Sequence, residues 1–300
     1  MKSRFNQQKL KENLAGYLFI LPNFLGVFLF VVFPLLFSLV MVFIDWDYMM
    51  GFSGIEWVGL AHFKKLMTDE YFLQSLKNNF IFTAVTVPSA MAIGLVIAVI
   101  LNKFVYLKNF LRVLFFLPYV SSIVAISIVW SVMYNPTNGP INGTLRSLDI
   151  ENLPGWLASP DWALPAIIIM VVWTYTGYTM VLYMAGLQGV PKDLYEAASI
   201  DGATGMKSFF KITVPMLKPT SFLIAVTLII STFQVFAAVA VMTKGGPLNS
   251  TMVLAYYIYI QAFQYYEMGY AAAMSWVLFL IIFVITILQW REQKKWQDQF

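Results

Sequence analysis

Six long apolar stretches, each free of Asp, Glu, Lys and Arg, constrain the fold of this 300-residue chain more than any other feature. They cover residues 16–44, 80–101, 113–134, 163–187, 220–242 and 268–290. A helix needs about 20 apolar residues to cross a hydrocarbon layer of about 30 Å. Because the stretches meet that length, the sequence predicts an all-α integral membrane protein with six transmembrane helices.

The composition excludes several classes of protein. Hydrophobic residues make up 60% of the chain and charged residues 11%, whereas soluble domains have about 45–50% and about 25%. A soluble enzyme and a nucleic-acid-binding protein are therefore excluded. The chain has no Cys and a single His, His62. We accordingly expect no disulfide framework, no Cys-ligated or His-rich metal site and no thiol nucleophile.

The distribution of Lys and Arg predicts which ends of the spans face the cytoplasm. Fourteen of these 19 residues lie in the chain ends and in segments 103–112 and 188–219, and five lie in the other connections. Because cytoplasmic segments carry the excess of Lys and Arg, we expect both termini in the cytoplasm. The expected organisation is a tail over 1–15, a six-span domain over 16–290 and a tail over 291–300. The same asymmetry accounts for the net charge of +4 without a nucleic-acid partner.

Two outer connections have contrasting patterns. Residues 59–79 place apolar side chains among charged ones, which predicts a short amphipathic helix at the outer membrane surface. Residues 135–161 are rich in Pro, Gly and Asn, which predicts a loop with turns. In the first apolar stretch, Pro22 and Pro34 are expected to kink or bound the helix.

The cytoplasmic segment 188–219 is polar and contains helix boundary signals. Pro191 can occupy the first position of a helix, and Asp193 and Glu196 place negative charge in its first turn. Gly202 is a natural C-terminal cap. Small side chains in this helix would let another protein approach closely. A hairpin that merely links two spans would have the same composition, which favours neither interpretation.

A second short helix is expected after Gly202. Thr204 can cap its N-terminus, and Phe209 and Phe210 give it an apolar side. Pro215 is expected to end it, because proline interrupts helical hydrogen bonding.

The run Glu196-Ala197-Ala198, with Gly202 six residues after the glutamate and then Pro215, resembles the EAA motif of the membrane subunits of bacterial ABC importers. The resemblance extends over essentially the whole chain to the permease subunits of binding-protein-dependent ABC sugar importers of the maltose and glycerol-phosphate type. It is carried further by segments 59–63, 117–142 and 243–263. His62 stands where that family usually has Asn, and we interpret it as an exposed polar position without a catalytic role.

The resemblance implies a type I ABC importer permease (MetI-like) fold in the bacterial inner membrane. It also implies a second homologous permease, two cytoplasmic ABC ATPase subunits that bind ATP and Mg²⁺, and an extracytoplasmic solute-binding protein. The EAA loop, 188–219, would hold a coupling helix on which ATP-driven closure of the ATPase pair pushes to rock the spans between two access states. The residues implied for ATPase coupling are Glu196, Ala197, Ala198, Ile200, Asp201, Gly202 and Ala203. The chain itself has no Gly-Lys dipeptide, so it lacks the phosphate-binding loop that would hold a nucleotide cofactor.

Polar and aromatic side chains inside the apolar stretches are candidates for a solute path. Sugar faces stack on aromatic rings, and sugar hydroxyls bind amide and hydroxyl side chains. The candidates are Tyr119, Ser122, Trp173, Tyr175, Thr176, Tyr178, Thr179 and Gln234. Ser and Thr also pack between helices, and Tyr and Trp also mark membrane surfaces, so these structural roles compete for each position. Because the spans lack charge, we favour a neutral saccharide, an oligosaccharide in particular.

Two other classes of membrane protein fit the sequence less well. An ion-coupled secondary carrier of small polar solutes should have intramembrane ionisable residues or paired repeats. A membrane-embedded enzyme should have a His, Asp or Ser constellation in or beside its spans. The sequence has none of these features, so it predicts a transport subunit that performs no chemistry of its own.

Overall fold

A computed structural model describes residues 2–46, 48–104, 107–203 and 205–297. Thr204 and the ends of the two expected tails, residue 1 and residues 298–300, lie outside the described residues. The α-helices are α1 (Lys2–Val27), α2 (Phe33–Met41), α3 (Ala61–Thr68), α4 (Glu70–Phe104), α5 (Lys108–Val120), α6 (Ile123–Met133), α7 (Pro140–Ser147), α8 (Pro160–Gln188), α9 (Lys192–Ile200), α10 (Met206–Ser208), α11 (Val214–Met216), α12 (Lys218–Phe233), α13 (Ala237–Met242), α14 (Leu254–Phe263) and α15 (Met268–Gln297). The strands are β1 (Ile44–Trp46) and β2 (Ile55–Trp57).

The number of membrane spans depends on how two bent helix pairs are counted. Among the described residues, four helices are long and apolar enough to cross a membrane, and the number reaches six if each bent pair forms one span. The first pair, α5 and α6, is bent by 95°. The second, from α10 to α11 and then α12, is bent by 65°.

The chain divides into two compact units, one of residues 1–65 with 261–276 and the other of residues 66–260 with 277–300. In the first unit, α1 continues through Pro22 and leads through a π-helical segment, Phe28–Val32, into α2. Most of its apolar side chains are exposed, as expected for a helix whose surroundings are lipid or another subunit.

Two π-helical segments each end two residues before a proline. Phe28–Val32 precedes Pro34, and Phe209–Thr213 precedes Pro215. Proline lacks an N–H, and in an α-helix its ring clashes with the carbonyl four residues earlier. A wider π turn at this place lets the helix pass the proline. The helix ends at Met216, one residue after Pro215, and the chain bends by 65° into α12, so the expected end at Pro215 agrees to within one residue.

A small antiparallel hairpin, which the sequence did not predict, follows α2. Ile44 of β1 pairs with Trp57 of β2. The indole N–H of Trp46 donates to the carbonyl oxygen of Gly51 at 2.9 Å, and Gly51 has a φ of 64° that favours glycine. The hairpin is therefore closed by a local turn.

His62 is buried, and its interpretation as an exposed position is wrong. Its side chain is 9% exposed, and Nε2 lies 3.1 Å from the carbonyl oxygen of Ile44. The ring lies beside Tyr270 with centroids 6.2 Å apart. Gly269 allows this packing, because a β-carbon there would lie 2.7 Å from Nε2. A partner for a buried polar group explains the position without any catalytic role.

The core of the second unit is the contact between α4 and α8. Gly94 of α4 brings the two helices together, since a β-carbon there would overlap the side chain of Thr179. The hydroxyl of Thr179 donates to the carbonyl oxygen of Ala90 at 2.9 Å. One turn further along α8, the Tyr183 hydroxyl donates to Ser221 Oγ at 3.1 Å and joins α8 to α12. Small residues and hydroxyls thus hold these apolar helices together.

The third and fifth predicted spans are each interrupted. Span 113–134 is broken at Ser121, which has an extended backbone with φ −75° and ψ 156°. Pro118, three residues earlier, removes one N–H from the last turn of α5. Span 220–242 is broken at residues 234–236, between α12 and α13. Each of these stretches therefore contains a break, a feature that the sequence did not predict.

The two connections that the sequence predicts on the outer side are more ordered than their composition predicts. The expected amphipathic helix over 59–79 is limited to α3, because Asp69 then caps α4, its Oδ1 accepting from the Tyr71 N–H at 2.9 Å. Segment 135–161 contains α7 and folds around the buried Asn142. Its Nδ2 donates to Pro136 and Pro154 carbonyls, both at 3.0 Å, and its Oδ1 accepts from the Trp156 indole at 2.6 Å.

Candidate functional site

The helix breaks at Ser121 and at residues 234–236 face one cleft of about 350 Å³. The residues that line it are Tyr119, Ser121, Ile123, Val171, Thr174, Tyr175, Ser231, Gln234, Val235, Phe236, Ala237 and Ala238. Of the sequence candidates, the cleft brings Tyr119, Tyr175 and Gln234 together. None of the described lining residues carries a charge. The arrangement therefore offers aromatic faces, hydroxyls and an amide to a neutral ligand.

Two tyrosines, Tyr119 and Tyr175, form one wall of the cleft, and a third, Tyr178, packs against it. The rings of Tyr119 and Tyr178 are stacked, with centroids 4.6 Å apart and planes at 21°. Tyr175 lies against Tyr119 with centroids 6.2 Å apart and planes at 52°. Tyr178 therefore supports the Tyr119 ring from behind, although it is not itself among the lining residues. Such mutual contacts hold aromatic faces in fixed positions.

Gly177 explains how α5 reaches this wall. A β-carbon at Gly177 would overlap the carbonyl oxygen of Phe115. The backbone of α5 therefore lies directly on α8 at this level. Tyr119, one turn beyond Phe115 on α5, is carried by this contact to Tyr175 and Tyr178 on α8.

Four of the sequence candidates lie away from the cleft. Trp173 and Thr176 line a separate apolar cleft of about 700 Å³ along α4, α5 and α8, and the Thr176 hydroxyl donates to its own helix, to the Val172 carbonyl at 2.7 Å. Thr179 is fully buried in the α4–α8 contact. Ser122 is exposed at the first break and is not among the lining residues. Thr179 therefore packs between helices, which is the alternative role that the sequence analysis considered for Ser and Thr.

Sequence reasoning missed Phe236, which lies in the second break. Its ring meets Tyr259 edge to face, with centroids 5.3 Å apart, and lies 5.9 Å from Tyr256. The cleft therefore has a second aromatic group, Phe236, which comes from a different part of the chain than Tyr119 on α5 and Tyr175 on α8. Phe236 is one of many apolar residues in its stretch, so only the helix break could have identified it.

The predicted helix of segment 188–219 is α9, and Pro191 lies just before its first residue with φ −59°. Gly202 follows the helix with φ 71°, a conformation that favours glycine. The N–H of Gly202 donates to the Ser199 carbonyl at 3.2 Å, and that of Ala203 donates to the Ala198 carbonyl at 2.8 Å. These bonds satisfy carbonyls that the helix leaves open at its end.

The seven residues implied for ATPase coupling lie on two sides of α9. Ala198 and Ala203 are half-buried, whereas Glu196, Ala197, Ile200, Asp201 and Gly202 are exposed. Ile200 is 87% exposed, and open space surrounds the position of a β-carbon at Gly202. The half-buried side is fixed by Tyr195, whose hydroxyl lies 3.0 Å from Thr213 Oγ1. The opposite face is therefore available to another protein.

Comparison with known proteins gives consistent matches over most of the chain. The family model described as binding-protein-dependent transport system inner membrane component matches residues 90–295. The chain is 38% identical over 290 residues to the probable ABC transporter permease protein YesP of Bacillus subtilis (strain 168), covering 95% of this chain and 92% of that protein. It is 38% identical over 289 residues to the lactose transport system permease protein LacF of Rhizobium radiobacter, covering 93% and 95%.

The fold is also similar to that of a solved structure. A chain in the crystal structure of a bacterial alginate ABC transporter in complex with alginate pentasaccharide-bound periplasmic protein superposes with a TM-score of 0.80 and 22% identity. The match covers 94% of each chain. The match confirms the expected fold. The number of spans is six when each bent helix pair is counted as one span.

Proposed function

Since this chain belongs to the family of binding-protein-dependent transport system inner membrane components, we propose that it is a membrane-spanning subunit of an ATP-driven sugar importer. The observation that carries the proposal is the uncharged cleft at the two helix breaks, with Tyr119, Tyr175, Phe236 and Gln234 around it. Its volume of about 350 Å³ is within the range of small-molecule sites, about 300–1,000 Å³. A neutral sugar matches this lining better than a phosphorylated or acidic one.

The proposed solute is an oligosaccharide delivered by an extracytoplasmic binding protein. The relative named for lactose transport supports a neutral oligosaccharide. The solved structure with a similar fold was crystallised with a periplasmic protein that holds an alginate pentasaccharide, which supports an oligosaccharide but is acidic. The cleft lies where helices are interrupted, and interrupted helices at mid-membrane are a recurrent site for solutes in transporters. Tyr119, Tyr175 and Gln234 are the residues that we assign to sugar contact.

The partners that we propose follow from the exposed face of α9. Glu196, Ile200 and Gly202 would contact one of two cytoplasmic ABC ATPase subunits, which bind ATP and Mg²⁺, and a second homologous permease would complete the path. The chain has no phosphate-binding loop of its own. ATP hydrolysis is accordingly assigned to the partners, and no enzymatic step to this chain.

The proposed location is the bacterial inner membrane, with α9 and both termini in the cytoplasm. The excess of Lys and Arg in the ends and in segments 103–112 and 188–219 supports this orientation. The layout is then a tail over 1–15, a permease domain over 16–290 and a tail over 291–300. The ion-coupled carrier is disfavoured, because the relatives named above are ABC transporter components.

Purification of the intact complex from its native membrane tests the proposal. The chain is extracted in mild detergent, co-purifying proteins are identified by mass spectrometry, and uptake of radiolabelled neutral di- and trisaccharides is measured in proteoliposomes that contain the binding protein. We expect a second six-span protein, a P-loop ATPase and uptake that requires ATP. A chain that is recovered alone and transports these sugars without ATP would instead be a secondary carrier.

A further inference from the structure

A cavity of about 470 Å³ lies between α9 and the ends of α4 and α8. Asn102 and Gln188 line it, and the same two residues are the last of the candidate membrane spans Glu70–Asn102 and Pro160–Gln188. The cavity is therefore at the level where two spans leave the hydrocarbon layer, which is the depth of phospholipid headgroups.

The lining of this cavity suits an anionic group that carries hydroxyls. Lys192 supplies one ammonium group, and Asn102, Gln188, Tyr195 and Thr213 supply amides and hydroxyls. None of the described lining residues is acidic. Lys192 makes no salt bridge to any residue in the described ranges, so its charge is available to a ligand.

The same cavity is bounded by the half-buried side of α9. The Tyr195 hydroxyl, 3.0 Å from Thr213 Oγ1, joins α9 to the π-helical segment Phe209–Thr213. A ligand that also contacts Asn102 and Gln188 would connect α9 to the ends of α4 and α8. Binding at this position would stabilise one arrangement of α9 relative to these helices.

We propose that this cavity binds a hydroxyl-bearing phosphate group, which pairs with Lys192 and joins α9 to the ends of α4 and α8. Two sources present this chemistry, the headgroup of phosphatidylglycerol and a soluble sugar phosphate. Phosphate accepts charge-assisted hydrogen bonds from an ammonium group. The hydroxyl groups that the ligand carries beside its phosphate can hydrogen-bond to the side-chain amides of Asn102 and Gln188. This site differs from the solute cleft in both lining residues and charge.

The test uses the whole importer in phosphatidylcholine nanodiscs, with two probes. One arm adds phosphatidylglycerol to the nanodiscs and counts retained lipid by native mass spectrometry, and the other titrates glucose 6-phosphate by calorimetry. Lys192→Gln should weaken binding of the active probe about tenfold, as expected for loss of one charge-assisted contact. Lys211→Gln is the matched control, because Lys211 is exposed on the neighbouring π segment and is not a lining residue.

The outcomes separate the source of the phosphate from the existence of the site. Binding of phosphatidylglycerol alone assigns a lipid site, and binding of glucose 6-phosphate alone assigns a soluble one. The proposal is overturned if neither probe binds the wild type, or if the two lysine variants bind equally. Gln188→Met gives a second test that leaves every charge in place and should also weaken binding. Because binding is measured without transport, the result does not depend on the proposed import function.

Discussion

The side-chain amide of Asn79 donates to the carbonyl oxygen of Phe233 at 3.1 Å, at the last residue of α12 before the second helix break. The same side chain accepts from the Leu254 N–H at 2.7 Å, at the first residue of α14. Asn79 is fully buried. One side chain of α4 therefore binds both ends of the chain segment that contains Gln234 and Phe236, and fixes this side of the cleft.

Replacement of Asn79 by leucine should destabilise the protein. The change keeps a similar volume but leaves the Phe233 carbonyl and the Leu254 N–H buried without this partner. Loss of such bonds costs about 1–3 kcal/mol each, so the midpoint of thermal unfolding in detergent should fall clearly. Asn138→Leu is the control, since Asn138 is exposed in the connection between α6 and α7. Equal midpoints for the two variants would contradict the bridging role of Asn79.

Gly177→Ala should disrupt the contact between α5 and α8. The new methyl group would overlap the Phe115 carbonyl oxygen, and backbone atoms cannot move away as a flexible side chain can. We expect a loss of stability of about 1–3 kcal/mol, together with reduced sugar uptake because Tyr119 is displaced. Gly26→Ala tests the same exchange in α1, where nothing lies within 4 Å of the new atom. That variant should be as stable as wild type or slightly more so.

Tyr175→Ala and Gln234→Ala should raise the KM for the sugar in proteoliposome uptake. An aromatic contact contributes about 0.5–1.5 kcal/mol beyond its buried area, so an increase of at least about two- to tenfold is expected for Tyr175→Ala. Thr176→Ala should leave the KM unchanged. Thr176 lines the separate cleft of about 700 Å³ along α4, α5 and α8 and does not line the cleft at the helix breaks. A larger effect at Thr176 than at Tyr175 would move the sugar contact to the other face of α8.

Gly202→Ala should weaken coupling without preventing insertion of the protein into the membrane. Gly202 has a φ of 71°, and a residue with a β-carbon pays about 1–2 kcal/mol in this conformation. Space is not the cause, because the position is open. Asn adopts this conformation more readily, so Gly202→Asn should retain more ATP-driven uptake than Gly202→Ala. Identical activity in the two variants would show that the backbone conformation is not what coupling requires.

The sequence predicted those features that depend on local pattern. The charge-free stretches within α4, α8 and α15 were identified from the sequence because the hydropathy of a stretch is the sum over its own residues and needs no distant partner. The cap at Gly202 was predicted because its signal lies within one turn of the helix end. The family motif then gave the fold, which the structural match confirms. The orientation of the termini remains a prediction.

Features that depend on a distant partner were not predicted. The hydroxyl of Thr179 has the same local pattern as a solute contact, and only its neighbours Gly94 and Ala90 on α4 show that it packs between helices. The break at Ser121 lies in an uninterrupted apolar stretch, where Pro118 was the single local signal. Phe236 became a candidate only once the break beside it was known.

The helix breaks at Ser121 and at residues 234–236 add polar backbone groups to the cleft. Every helix end has carbonyl and N–H groups without intrahelical partners, and α5, α6, α12 and α13 all end or begin beside this cleft. Their partial charges can bind sugar hydroxyls while no lining residue of the described chain needs to ionise. The membrane potential acts on net charge. Because the cleft has no charged lining residue among those described, binding of a neutral sugar there moves no net charge across the bilayer. Sugar affinity at this cleft should therefore be independent of membrane voltage and of pH across the physiological range.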